Sequence, residues 1–298
     1  MKTSDGLSLH TRHWRVASTP SPASPSGARA LGTAVLVHGL GEHIGRYEHV
    51  AEHLNAQGWD VRGFDHRGHG RSGGRRGDIA EPDSLLRDLG AFLREVRDAH
   101  GADADRPLVL IGHSLGGLVA ARFVAEGLAS QPADWHLPVD GLVLSSPAID
   151  PGLSAVQKAL LAVGPRLTPH LCLNNGLKPE WICNDPSVVQ AYLQDPLVHD
   201  RISGLLGRFI ADAGPVVLAR APKWQVPTLL LWSGQDRCVS PQGSQRLAKA
   251  LPSAWIEARP FAELAHEIFN ERERAEVLGH LGAWLSRVFS SMGRSRAA

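Results

Sequence analysis

The chain has 298 residues, enough for one large domain or for a core with an insertion at about 150 residues per domain. Hydrophobic residues make up 43%, so a sizeable buried core is within reach. A formal net charge of +1 gives no electrostatic reason to expect nucleic acid as a partner.

Leu7 to Trp14 (LSLHTRHW) alternates as a half-exposed strand should. Residues 17 to 30 are rich in Ser, Pro and Ala and read as a connecting loop. Thr33 to His38 (TAVLVH) is a short β-branched run expected to form a buried strand. Arg46 to Gln57 has helical spacing and stops at Gly58; Trp59 to Phe64 is the next strand. Pro82 to His100 repeats apolar residues at helical intervals before Gly101. Leu108 to Ile111, Val139 to Leu144, Pro227 to Trp232 and Trp255 to Ala258 read as further strands. Leu115 to Leu128, Pro241 to Leu251 and Glu271 to Phe289 read as helices. Such alternation predicts an α/β fold, with a mostly parallel sheet covered on both faces.

Residues 149 to 222 break the rhythm, with Pro, Gly and Asn and no convincing buried strand. They read as a helical lid between two parts of a core, 1–148 and 223–298. Val156, Leu160, Val163 and Leu167 would share one helix face. Such a stripe usually packs on its own core, and docking on a lipid surface is the alternative.

Gly112-His113-Ser114-Leu115-Gly116 is a G-x-S-x-G between an apolar strand and a helix. That setting suits a nucleophile elbow, a strained turn that exposes the serine hydroxyl at the sheet's carboxyl end. A serine needs a base to take its proton and a carboxylate to orient that base. In this fold the order is Ser, acid, His. Of the downstream histidines His136, His170, His199 and His266, the last precedes the final helix in ELAHEIFN, and it is the expected base. Asp236 (SGQDRCVS) and Asp150 both follow strands; Asp236 lies nearer its strand end and is favoured. The expected oxyanion donors are the backbone N–H groups of Leu115 and of Leu40 in His38-Gly39-Leu40-Gly41. Donors of this kind contribute about 2.7–4 kcal/mol each in the transition state.

HGLGEHIGRYEHVAEHL, DHRGHGRSGG and GHSLGG, with SGQDRCVS, LAHEIFNE and QDPLVHDR in order, resemble the monoacylglycerol lipase and lysophospholipase branch of the α/β hydrolases. The resemblance covers most of the chain. It implies the α/β-hydrolase fold, a triad of Ser114, Asp236 and His266, and an oxyanion hole at Leu40 and Leu115. It also implies an acyl channel under the lid and head-group contacts at Glu42 and Arg46. A local ion pair is the alternative for those two. The chain departs from the branch in its Pro/Ser-rich stretch near residue 20, its short N-terminus, and Leu115 where the lipases more often carry Met.

The expected activity is ester hydrolysis through an acyl-enzyme, on a small lipid ester such as a monoacylglycerol. Lysophospholipase or general carboxylesterase activity stays open. So does an aminopeptidase or amidase, for which Glu180, Asp185, Asp195 and Asp200 supply acids, and so does a non-catalytic receptor on the same fold. No cofactor and no metal is expected: His43, His49, His66 and His69 read as structural or solvated. Cys172, Cys183 and Cys238 fit a reducing compartment, with a Cys172–Cys183 bridge left open. The start MKTSDGLSLH has no apolar signal core, and no apolar run approaches the ~18 residues of a membrane span. The expectation is a cytoplasmic protein; peripheral membrane contact and the oligomeric state stay open.

Overall fold

The computed structural model describes residues 1–16, 30–101 and 106–294. The strands in chain order are β1 (Thr11–Trp14), β2 (Gly32–Val37), β3 (Trp59–Phe64), β4 (Leu108–His113), β5 (Gly141–Ser145), β6 (Cys172–Asn174), β7 (Arg201–Ser203), β8 (Thr228–Ser233) and β9 (Ile256–Phe261). The helices are α1 (Glu48–Ala56), α2 (Ser84–His100), α3 (Leu115–Glu126), α4 (Ala155–Leu167), α5 (Pro186–Gln194), α6 (Gly204–Arg220), α7 (Pro241–Ala250) and α8 (Arg274–Arg294). The loop expected at residues 17 to 30 lies, but for its last residue, outside the described residues.

A seven-stranded sheet runs in the order β1-β3-β2-β4-β5-β8-β9. Every pairing is parallel except that of β1 with β3. The inner strands β2, β4, β5 and β8 are buried along their whole length because both faces of the sheet are covered there. Val109 and Ile111 of β4 meet α1 and α8 on one side; Leu108 and Leu110 meet α2, α3 and α6 on the other. From β2 the chain steps to β3 on one side, and β4 then lies on the other, so the order reverses between β2 and β4. In open parallel sheets such a switch point leaves a crevice at the strands' carboxyl ends, where ligands bind.

Between β5 and β8 the expected helices form, together with a pairing that the sequence pattern did not signal: β6 and β7 make a short antiparallel ribbon. Its strands are short and mostly solvent-facing, so no buried β-branched run announces them. α6 differs from α4 and α5. It buries Leu206, Phe209, Ile210, Ala213 and Val217 in the same core as α3. On α4 the expected packing of the apolar stripe does not occur: Val156, Val163 and Leu167 are 69%, 55% and 78% exposed. All three cysteines are free thiols. No helix among the described residues is long and apolar enough to cross a membrane.

Beneath the crevice lies a packed set of histidines. His38, His66 and His69 are fully buried, with ring centroids 4.5 to 6.0 Å apart. His38 Nδ1–H donates to Gly39 O at 2.8 Å, while its Nε2 accepts the His66 amide at 2.9 Å, which fixes a neutral ring. Burial pushes His38 down to about 3 and holds His66 and His69 well below the ordinary imidazole range. Unfolded, these rings protonate below about pH 6.5. The stability they contribute is complete above that pH and is lost as pH falls toward the folded values, at about 1 kcal/mol per pH unit for each ring. The melting temperature is therefore expected to drop steadily between pH 7 and pH 4.5. A melting curve unchanged over that range would contradict neutral burial of the three rings.

Candidate active site

The turn from β4 into α3 places Ser114 with φ +52°, a left-handed conformation that costs a non-glycine residue roughly 1–3 kcal/mol. Its neighbours hold it there. Ser114 N donates to Ser145 O at 2.9 Å, and Ser114 O accepts from Leu118 N and Ala148 N at 3.0 and 3.1 Å. The flanking glycines are required by close approach rather than by their own torsions. A Cβ on Gly116 would lie 2.0 Å from Val37 O, and one on Gly112 2.5 Å from Gly116 O. Leu115 is the first residue of α3, so its N–H has no partner inside the helix and points out of the helix end beside Ser114.

Asp236 follows β8 and His266 follows β9, 30 residues apart in sequence, and His266 Nδ1 meets Asp236 Oδ2 at 2.7 Å. The other carboxylate oxygen, Oδ1, accepts the amides of Cys238 and Val239 at 2.9 and 3.0 Å. The carboxylate is thus held from one side and aimed from the other. Burial alone would lower the His266 pKa; the charge and hydrogen bond of Asp236, with Glu267 and Glu42 nearby, raise it instead. Burial pushes Asp236 up, and the His266 imidazolium more than offsets this, leaving it below the usual carboxylate range. Asp150, the competing acid, is engaged elsewhere: it accepts from Arg246 at 2.6 Å and from the Gly152 amide at 2.9 Å.

Ser114 and His266 open on one cavity of about 400 Å³, which Leu40 also lines. Apolar Leu177, Ile182 and Val198 share its wall with polar Asn174, Asn175 and Tyr192. Glu42 reaches the wall as well, but its oxygens already have protein donors. Oε1 accepts from Gly39 N and from the Tyr47 hydroxyl, each at 2.7 Å, and Oε2 accepts from Arg46 at 2.9 Å. Arg46 in turn forks onto Glu267 at 2.6 and 2.7 Å and lies over the Tyr192 ring. Sequence reasoning missed Glu267 and Tyr47. Their only signals are adjacency, Glu directly after His266 and Tyr directly after Arg46.

Other expected residues fall as follows. His43 Nε2 lies 2.7 Å from an Asp195 carboxylate oxygen, and His49 Nε2 lies 2.8 Å from Phe269 O. Asp195 and Asp200 line the cavity, Asp185 caps α5, and Glu180 lies in the short 3-10 turn before it. Among the described residues, the side chains gathered closely enough to hold a metal are Asp236, Cys238 and His266, with donors within 4.8 Å. Two of these are already bonded to each other.

A parallel sheet covered on both faces, with a serine on a strained strand–helix turn and an acid–imidazole pair at the same edge, defines the α/β-hydrolase class. The chain matches the family model described as serine aminopeptidase, S33, over residues 28–273, and it belongs to that family. It is similar to a protein of Mycolicibacterium smegmatis named monoacylglycerol lipase, 34% identical over 261 residues, which span 85% of this chain and 88% of that one. A monoglyceride lipase of Rattus norvegicus is 28% identical over 97% of this chain and 90% of its own length. The crystal structure of the Paleococcus ferrophilus monoacylglycerol lipase superposes with a TM-score of 0.78 at 34% identity, covering 94% of this chain and 99% of that one.

A fluorophosphonate should label Ser114 in the folded protein and leave Ser114→Ala unlabelled. Labelling needs a neutral His266, so its rate should fall as pH drops through a value above the ordinary imidazole pKa of about 6.5. A rate that stays flat from pH 8 to pH 5 would argue against His266 as the base.

Proposed function

We propose that this protein is a serine esterase that cleaves monoacylglycerols, with Ser114 as nucleophile, His266 as base and acid, and Asp236 as the residue that orients His266. The observation that carries this reading is the 2.7 Å Asp236–His266 contact facing the same cavity as Ser114. Ser114 Oγ attacks the ester carbonyl as its proton passes to His266 Nε2. Asp236 keeps the other ring proton on Nδ1 and stabilises the imidazolium that forms. The oxyanion is received by the N–H groups of Leu115 and Leu40. His266 returns the proton to the leaving glycerol oxygen, and water then attacks the acyl-enzyme by the same sequence in reverse.

The substrate assignment is supported by the similarity to proteins named as monoacylglycerol lipases and by the cavity's mixed wall. Its leucines, isoleucine and valine suit an acyl chain; its asparagines and Tyr192 suit hydroxyls. An aminopeptidase needs a free acid for the substrate's amine. The acids at the wall are all engaged: Glu42 and Glu267 with Arg46, Asp195 with His43, and Asp200 with Asn174 and Arg201. Residues 149–222 serve as the lid. The exposed Val156, Val163 and Leu167 of α4, with Leu171 and Leu173 beyond it, give that lid an apolar face for a lipid surface. Glu42 and Arg46 belong to the head-group end, where Glu42 stands at the wall and Arg46 behind it.

Ser114→Ala is expected to lower ester turnover by several orders of magnitude. In a panel of monoacylglycerols, lysophospholipids, nitrophenyl esters and aminoacyl amides, kcat/KM should be highest for monoacylglycerols and rise with acyl length. Preference for aminoacyl amides would replace this reading with a peptidase. The double variant Val163→Glu, Leu167→Glu should lose turnover of vesicle-dispersed monoacylglycerol about tenfold while keeping that of a short soluble ester. Equal loss on both substrates would rule out lipid docking through α4.

A further inference from the structure

Two buried glutamates and the half-buried Arg46 between them connect the two halves of the proposed catalytic site, and no bond-making or proton-transfer step just described uses them. Glu42 holds the Gly39 amide, next to the Leu40 N–H proposed as oxyanion donor. Glu267 directly follows His266, so its position fixes the β9–α8 loop beside the residue that carries the imidazole. Arg46 joins them, donating to Glu42 Oε2 at 2.9 Å and to both oxygens of Glu267 at 2.6 and 2.7 Å. Glu267 is further fixed from two sides: its amide donates to Ile182 O at 2.7 Å, and Asn270 donates to its Oε2 at 2.8 Å.

We propose that Glu267, bridged through Arg46 to Glu42, is a positioning residue that sets the distance between the His266 imidazole and the oxyanion donors. This rests on the triad reading above. The geometry favours it because the two loops leave different strands, β2 and β9, which are far apart in the sheet order. Backbone pairing does not tie their ends. A rigid planar guanidinium with two parallel bonds does, where a flexible ammonium would not. Misplacement of catalytic groups by about 1 Å costs on the order of a hundredfold in rate.

The bridge also has an electrostatic consequence. Two carboxylates against one guanidinium leave one net negative charge. Facing His266 from the surrounding elements are Asp236 and Cys238 after β8, His113 at the end of β4, and Glu42 and Glu267, both of which are bound to Arg46. Glu267 and Glu42 act with Asp236 to favour the imidazolium. Removing the Glu267 charge should therefore lower the pKa of His266 and carry the acid limb of kcat/KM to lower pH. A bridge that only stabilised the fold would not move that limb.

The test is Glu267→Gln in the full chain, assayed on nitrophenyl butyrate across pH 5 to 9 beside thermal melts. The expected result is a kcat lowered about tenfold or more with KM within about twofold, and an acid limb shifted to lower pH. Glu267→Asp should return the acid limb to its wild-type position. Arg46→Lys, which keeps the charge and loses the fork, should lower kcat without lowering the acid limb. A folded Glu267→Gln with wild-type kcat and an unmoved acid limb would overturn the proposal. So would a loss of kcat with an unmoved limb. If Glu267→Gln does not fold, a folded Arg46→Lys with unchanged kcat would overturn it equally. Failure of the triad reading looks different: wild-type protein would then hydrolyse no ester and take no fluorophosphonate at Ser114.

Discussion

The turn at Ser114 is the constraint around which the rest of the site is arranged. β4 ends, the chain reverses into α3, and the serine is left at φ +52°. The turn closes only because Gly112 and Gly116 let backbone meet backbone, with Val37 O and His38 O where a side chain would otherwise sit. That contact brings the end of β2 against the start of α3. As a result the Gly39–Leu40 loop and the Leu115 amide flank the same hydroxyl. The strain is retained because the surrounding hydrogen bonds and buried strands over-determine it.

Around that turn the protein buries charge as well as hydrocarbon. Ion pairs taken out of water carry a large desolvation cost, and well-packed apolar residues often serve stability equally well. Glu42, Arg46, Tyr47 and Glu267 accept that cost beside the cavity, and each carboxylate oxygen of the two glutamates finds a donor. A saturated network of this kind fixes one arrangement, since losing any member strands a buried charge. The histidines under the crevice work differently. They stay neutral, pack against one another at tilted angles, and fill space while supplying the hydrogen bonds that hold the His38–Gly39 turn.

The segment between β5 and β8 is not uniform. α6 is a core helix that shares its buried face with α3, whereas α4 turns apolar residues to solvent. The segment is thus rooted in the core through α6 and exposed at α4. Arg46 over Tyr192 and the Glu267 amide on Ile182 O join it to the site itself.

Local information in the chain was sufficient for much of this. Apolar periodicity and glycine stops located the main strands and helices, because side-chain alternation and helix termination are properties of neighbouring residues. The strained turn at Ser114 was legible because an elbow is local, with local glycine requirements. Asp236 and His266 were legible as an ordered pair, since each follows a strand whose end must lie at the same sheet edge. The β6–β7 ribbon was not legible, its strands being too short and too exposed to leave a pattern. The exposure of the α4 stripe was not legible either, because periodicity says which residues share a face and not what that face meets. Tertiary structure alone supplied the partners of Glu42 and Arg46. Sequence left them between head-group contact and a local ion pair, and folding brought Glu267 onto Arg46 from 221 residues away. A charged residue's role depends on which partner desolvates with it, and that partner is chosen by the fold.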